Sequence, residues 1–309
     1  MISVRGLTKT YENGTRALRD VTFEVPEGDI FAFIGPNGAG KTTTIRVLAT
    51  LLEPTGGEAT VGGEDVVRYP DRVRNLIGYM PDDFGVYEGV RVWEYLDFFA
   101  AAHRMPKLQR RRAVEDVMSL TDLGPLRERM VETLSKGMRQ RLCLAKTLVH
   151  DPKALILDEP ASGLDPRARI EFRALLKTLA GMGKTILISS HILTELREIC
   201  NSCCVIERGR IVASGRLDEL TERLLPVRII VVKLLSGADR AAEELRRAAG
   251  VLSAQIDGRN VRVEFRGQDQ EIHGLMRKLV EKELPIIGLE EKERDMEALF
   301  LRITKGELA

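Results

Sequence analysis

Gly35, Gly40, Lys41 and Thr42 stand in the spacing G-x-x-x-x-G-K-T within GPNGAGKTT, Gly35 to Thr43, a spacing suited to holding phosphate groups. Glycines there let the backbone curl until several N–H groups point inward at an anion. Lys41 brings a point charge for β- and γ-phosphates, and Thr42 a hydroxyl for Mg2+. A second set lies far along the chain, in ALILDEP, where an apolar run from Ala154 ends in Asp158 and Glu159. The C-terminal edge of strands is where ligands sit in open α/β sheets. Asp158 is thereby placed to hold Mg2+, and Glu159 to polarise an attacking water as general base. His191 follows another apolar run, TILISS, and can reach a γ-phosphate at the same edge. The third set is LSKGMRQRL, Leu134 to Leu142. Ser135 suits a helix N-cap and Gly137 lets the first turn approach a ligand, which makes a second anion site. Two anion sites for one triphosphate, separated by a helical insertion, are most economically used by a two-fold dimer. Each nucleotide then lies between one chain's loop and the other's Ser135 helix.

These groups need elements to carry them. Ile30 to Ile34 reads as a buried strand before the glycine loop, and Ile45, Leu48, Ala49 and Leu52 after it have helical spacing. Residues 2–27 read as short strands with a hairpin turn at Glu12 to Gly14. Tyr11, just ahead of the turn, suits either stacking on a base or a plain strand position. Gly56-Gly57 and Gly62-Gly63 bracket a strand, Glu58 to Val61, and helical patterns cover Val92 to His103, Leu108 to Leu120 and Ser135 to His150. Ala154 to Leu157, Thr185 to Ser189 and Cys203 to Glu207 are apolar strands alternating with helices, which predicts an α/β parallel sheet covered on both faces. This part is expected to end near Leu225-Pro226. Beyond it come a strand (Val227 to Leu235), a helix (Ala238 to Ala249), two strands (Val251 to Ile256 and Asn260 to Phe265) joined through Asp-Gly, a helix (Asp269 to Glu283) and a strand (Pro285 to Glu290). That βαββαβ order is the split, ferredoxin-like arrangement, and a last helix is expected over Asp295 to Ile303.

Bulk properties narrow the class. The chain has 309 residues, enough for about two domains, and a formal net charge of +1, which gives no global field toward nucleic acid. Cys200 and Cys203 form a C-x-x-C with Cys204 beside it, but no second pair or nearby histidine completes a zinc site, so reduced core thiols in a cytosolic protein are expected. Met1 leads straight into a strand-like ISVRGL, without the profile of a signal peptide. No apolar run approaches the roughly 20 residues needed to cross a bilayer. Work at a membrane would require another chain to supply the spanning part.

The motifs together resemble those of ATP-binding-cassette ATPases over Ile2 to about Arg223. GPNGAGKTT resembles the family's Walker A loop, with Gly35, Pro36, Asn37, Gly38, Ala39, Gly40, Lys41, Thr42 and Thr43 as the ATP-binding run, and ALILDE resembles Walker B. Tyr11 takes the adenine-stacking position, Ser162 to Asp165 the D-loop, and His191 the switch histidine. LSKGMRQ takes the place of the signature, keeping Ser135 and Gly137 while departing from LSGGQ at Lys136 and Met138. Asp82 stands where the family carries a glutamine that offers oxygen to Mg2+. The resemblance implies a P-loop NTPase (RecA-like) fold: a mostly parallel sheet with an antiparallel β subdomain and a helical subdomain at about 84–145. Residues 1–225 would form this nucleotide-binding domain and 226–309 a small α+β accessory domain.

It further implies ATP and Mg2+ as cofactors, with Thr42, Asp158 and Asp82 toward the metal and Glu159, Lys41 and His191 catalytic. The signature variant and the WEYLDFFA segment resemble single-cassette subunits of ABC-2-type exporters. These are homodimers held on the inner face of the cell membrane by a separate permease. The aromatics Phe84, Tyr87, Trp93, Tyr95, Phe98 and Phe99 would then either all pack as core or leave an exposed part for permease contact. A soluble relative acting on ribosomes or DNA is the alternative. One Walker A loop, no long heptad run and no basic stripe disfavour it. For 226–309, dimer reinforcement and ligand sensing both remain open.

Overall fold

The computed structural model describes residues 1–83, 85, 87–190, 196, 198–224 and 226–292. His191, Phe84 and the helix expected over Asp295 to Ile303 lie outside the described residues. By internal contacts the chain forms two units, Met1–Leu217 and Asp218–Ala309.

In the first unit the chain opens with an antiparallel hairpin, β1 (Ile2–Thr10) and β2 (Arg16–Val25), turning through Glu12 to Gly14 as the sequence predicts. With β4 (Gly56–Val61) and β5 (Glu64–Asp65) it makes a sheet in the order β2-β1-β4-β5. The second sheet is built on β3 (Ile30–Ile34), β6 (Ile77–Met80), β7 (Ala154–Leu157), β8 (Thr185–Ser190), β9 (Ser202–Glu207) and β10 (Arg210–Arg216), in the order β10-β9-β3-β8-β7-β6. All its pairings are parallel except the edge hairpin β9–β10. Every residue of β3, β7 and β8 is buried, as a sheet covered on both faces requires, and β3 and β7 are unbroken apolar runs while β8 adds Thr185, Ser189 and Ser190 to an apolar centre. Phe23 of β2 packs on Phe31 and Phe33 of β3 with ring centroids 5.8 and 5.2 Å apart, which joins the two sheets in one core.

Helices α1 (Lys41–Leu48), α2 (Pro70–Leu76), α3 (Val92–Ala102), α4 (Lys107–Leu120), α5 (Lys136–Leu148) and α6 (Pro166–Gly181) belong to the same unit. Parallel register sets the site. Ile34 lies beside Ser190, Leu157 beside Ile188, and Met80 beside Leu157. The glycine loop, Asp158 and Asp82 therefore leave the sheet at one edge.

Helix α7 (Leu217–Leu224) bridges the division, falling with the second unit from Asp218 onward. There β11 (Arg228–Leu234), β12 (Val251–Asp257), β13 (Asn260–Phe265) and β14 (Ile286–Lys292) pair antiparallel in the order β12-β13-β11-β14. This is the split order expected for a ferredoxin-like unit. Helices α8 (Ala238–Arg246) and α9 (Asp269–Glu281) bury Ala241, Ala242, Leu245, Ile272, Leu275 and Leu279 against one face of it. Asp257 pairs with Asn260, so the hairpin turns through Gly258-Arg259, one residue beyond the expected Asp-Gly start.

Candidate nucleotide site

The loop's shape is imposed from within. A Cβ on Gly35 would stand 2.4 Å from the Ile206 carbonyl oxygen, and Gly40 has φ +114° with Leu18 Cδ2 2.8 Å from where a Cβ would sit. Only glycine fits both positions. Beneath the loop, Gly209 donates its N–H to Ala39 O at 2.8 Å, and Arg19 donates to Gly209 O at 2.7 Å. The turn between β9 and β10 thus ties the loop to β2. The Lys41 ammonium, almost fully buried, donates to Gly35 O at 2.6 Å and lies 3.4 Å from Glu159 Oε1. Thr42 is exposed in the first turn of α1. Tyr11 is half-buried, its hydroxyl 3.2 Å from Thr43 Oγ1.

Asp158 is buried at the end of β7. Its Oδ1 accepts the Ser189 hydroxyl at 2.6 Å, while Oδ2 is buried without a hydrogen-bond partner. Glu159 follows at φ +47°, a left-handed backbone uncommon outside glycine. Asp82 is exposed at the rim. Its carboxyl is held above the usual range, first by the part that is desolvated and then by the negative charges of Asp158, Glu159 and Asp83, with Lys136 opposing. Negative charge thus accumulates where Asp158 Oδ2 lacks a partner, and these features fit a divalent cation. Among the described residues no three His, Cys, Asp or Glu side chains converge closely enough to hold a metal by themselves. That suits Mg2+, which keeps water and takes one or two carboxylates plus substrate phosphates.

Ser135 caps α5, accepting the Met138 N–H at 3.3 Å, and is exposed. A Cβ on Gly137 would meet only Ala168 Cβ at 3.5 Å and Leu164 Cδ2 at 4.0 Å, ordinary contacts. Asp165 spends its carboxylate capping α6 through the Ala168 N–H at 2.9 Å. Gln140, buried in α5, donates its amide to Pro160 O just after Glu159, a link the motifs do not announce. Ser189 is also missing as a site residue from the sequence reading, because TILISS shows it only as one of two serines at a strand end. In the helical part, Tyr87, Tyr95, Phe98 and Phe99 form one ring cluster. Tyr95 is core, whereas Tyr87 and Phe98 are each 55% exposed. Trp93 lies apart, under the Arg127 guanidinium. Cys143, Cys200, Cys203 and Cys204 are buried free thiols, and burial pushes Cys203 up to about 12. No described helix is long and apolar enough to cross a membrane.

Fold and site define a nucleotide-hydrolysing α/β protein of the phosphate-loop class. Comparison with known proteins narrows this. Residues 18–162 match the ABC transporter family. The chain is 33% identical over 303 residues to the daunorubicin resistance ATP-binding protein DrrA3 of Streptomyces coeruleorubidus, covering 98% of this chain and 95% of that one. It is 31% identical over 310 residues to the Nod factor export ATP-binding protein I of Ralstonia nicotianae, covering 100% and 95%. A solved ATP-binding subunit of an ABC transporter superposes with a TM-score of 0.65 at 30% identity, covering 72% of this chain and 92% of that one. The chain belongs to the ABC transporter ATP-binding proteins. It binds ATP, and its hydrolysis of ATP is coupled to transport.

Proposed function

We propose that this chain energises export through a separate integral-membrane permease, working as a homodimer with MgATP at the seam. The observation that carries the reading is the Lys41 ammonium of the glycine loop 3.4 Å from Glu159, the residue after buried Asp158 at the end of β7. Arriving β- and γ-phosphates draw Lys41 from Glu159, and the loop N–H groups bind their oxygens. Glu159 takes the proton of the water that attacks the γ-phosphorus as the bond to ADP breaks. Asp158, Thr42 and Asp82 would hold Mg2+, which neutralises phosphate charge in the transition state. Tyr11 stacks on the adenine, and Ser135 and Gly137 of the second chain close on the γ-phosphate. His191, assigned from the sequence alone, contacts the same phosphate.

Export is supported by relatives named for drug resistance and Nod factor export. The chain would sit at the cytoplasmic face, held by the permease, with exposed Tyr87 and Phe98 on the docking surface. Residues 226–309 would reinforce the dimer. Those relatives are named for unlike cargoes, so cargo choice is assigned to the permease. The test is Glu159→Gln in the full chain. It should retain MgATP binding, lose ATPase activity by about 10²–10⁴-fold, and accumulate as a dimer. A variant with near-wild-type turnover removes Glu159 as base, and one that stays monomeric in saturating MgATP with its permease present removes the shared seam.

A further inference from the structure

Ser189 lies in β8, fully buried, one strand away from the two acids. A hydroxyl has one proton to give. Here it goes to Asp158 Oδ1 at 2.6 Å, and Ser189 Oγ itself accepts the Glu159 N–H at 2.9 Å. Two consequences follow from those distances. Asp158 is pinned by one oxygen only, so its other oxygen, buried and without a hydrogen-bond partner, keeps a fixed direction. Glu159 is held by its own N–H at φ +47°, a conformation that a non-glycine residue keeps only where its surroundings over-determine it. From that backbone its carboxylate reaches the Lys41 ammonium at 3.4 Å.

We propose that Ser189 is a positioning residue that sets the orientation of both acids at once, leaving Asp158 Oδ2 to the metal and Glu159 to the water. The assignment rests on the reading of Asp158 as the Mg2+ anchor. A serine that merely satisfied itself in the core would stabilise the fold without regard to metal. A positioning serine acts on the metal-dependent part of nucleotide affinity and leaves the loop's metal-free grip on phosphate alone. A small cavity lined by Ser189, Ser190, Phe172, Leu176 and Leu196 adjoins it, so threonine is the hydroxyl-keeping substitution to test.

The experiment uses the full chain in the Glu159→Gln background, so that nucleotide is not consumed. Binding of a fluorescent ATP analogue is measured in EDTA and in Mg2+, and Mn2+ binding in the presence of ATP is followed by electron paramagnetic resonance. Ser189→Ala should cut the metal-dependent gain in affinity and the Mn2+ affinity by about tenfold or more, the worth of a hydrogen bond to a charged group. Affinity in EDTA should change less than about twofold, and Ser189→Thr should restore most of the gain. An unchanged gain in Ser189→Ala overturns the proposal, as does an equal loss with and without metal or a threonine variant as poor as alanine. If Ser189→Ala does not fold, Ser189→Cys, with similar volume and weaker hydrogen bonding, replaces it, and failure of both to fold assigns Ser189 a structural role. A parent protein with no metal-dependent gain removes the Mg2+ reading of Asp158, and Ser189's role with it. A parent gain untouched by Ser189→Ala removes the role alone.

Discussion

At the glycine loop and at the α5 tip the chain offers two places for phosphate, and their glycines answer to different demands. Gly35 is required by the chain itself, because a Cβ there would stand 2.4 Å from Ile206 O. Gly137 is not, because a Cβ there would meet nothing closer than 3.5 Å. The same contrast runs through the neighbouring side chains. Lys41 is buried and engaged by Gly35 and Glu159, whereas Ser135 and Lys136 are exposed. One half of the site is complete inside a single chain. The other half carries a glycine that the chain does not need, and on the proposed reading the need comes from a second copy.

The sharpest way to break this contrast is to mix two inactive chains. Lys41→Met and Ser135→Arg should each lose ATPase activity by about 10²-fold or more. An equimolar mixture should recover about a quarter of the wild-type sites, because half the dimers carry one intact seam of two. A mixture as inactive as its components would place both halves in one chain. The glycines themselves come next. Gly35→Ala should lower stability by about 1–3 kcal/mol from overpacking and lose nucleotide. Gly137→Ala should unfold at equal or higher denaturant, gaining up to about 1 kcal/mol of helix preference, and still lose turnover. Equal stability losses in the two variants would erase the distinction.

A third probe touches the joint behind the α5 helix. His103 and His150 stack with centroids 3.7 Å apart, and His150 Nε2 lies 2.8 Å from Ile77 O of β6. Burial first, then His103, pushes His150 down to about 4, and burial also lowers His103. Both rings are therefore neutral in the folded chain near neutral pH. The unfolded chain takes up protons first on acidification, so stability is complete above pH 6.5 and is lost as pH falls from there to about 4. The loss should total about 1–2 kcal/mol for His150, allowing for its partly open ring. His150→Phe should flatten the slope of the melting midpoint against pH in that window. The smallest effect is expected at the exposed rim. Asp82→Gln should raise the half-saturating Mg2+ concentration for ATPase activity by about two- to fivefold, and no change would take Asp82 away from the metal.

How much of this the sequence discloses follows from burial. β3, β7 and β8 are legible because both faces are covered and every residue is apolar or nearly so. The βαββαβ unit is legible through its turns and its amphipathic helices. β10 escapes notice because an edge strand buries only Ala213, leaving no period to read. α2 escapes because Val73 is its only buried residue. At the site, Lys41, Asp158 and Glu159 are marked by local spacing, while Ser189 and Gln140 act across 31 and 20 residues of chain. Contacts of that kind leave no mark in a short window. The aromatic run before Phe99 could not be divided by type alone, since exposure separates Tyr95 from Tyr87.

The hairpin bend at Arg208-Gly209 has an outcome for variation in this chain. It braces Ala39 from behind and is itself gripped by Arg19. A length change there would let the cradle sag while sparing every recognisable motif, so a chain with an intact signature and a longer bend could still be unable to hold its fuel.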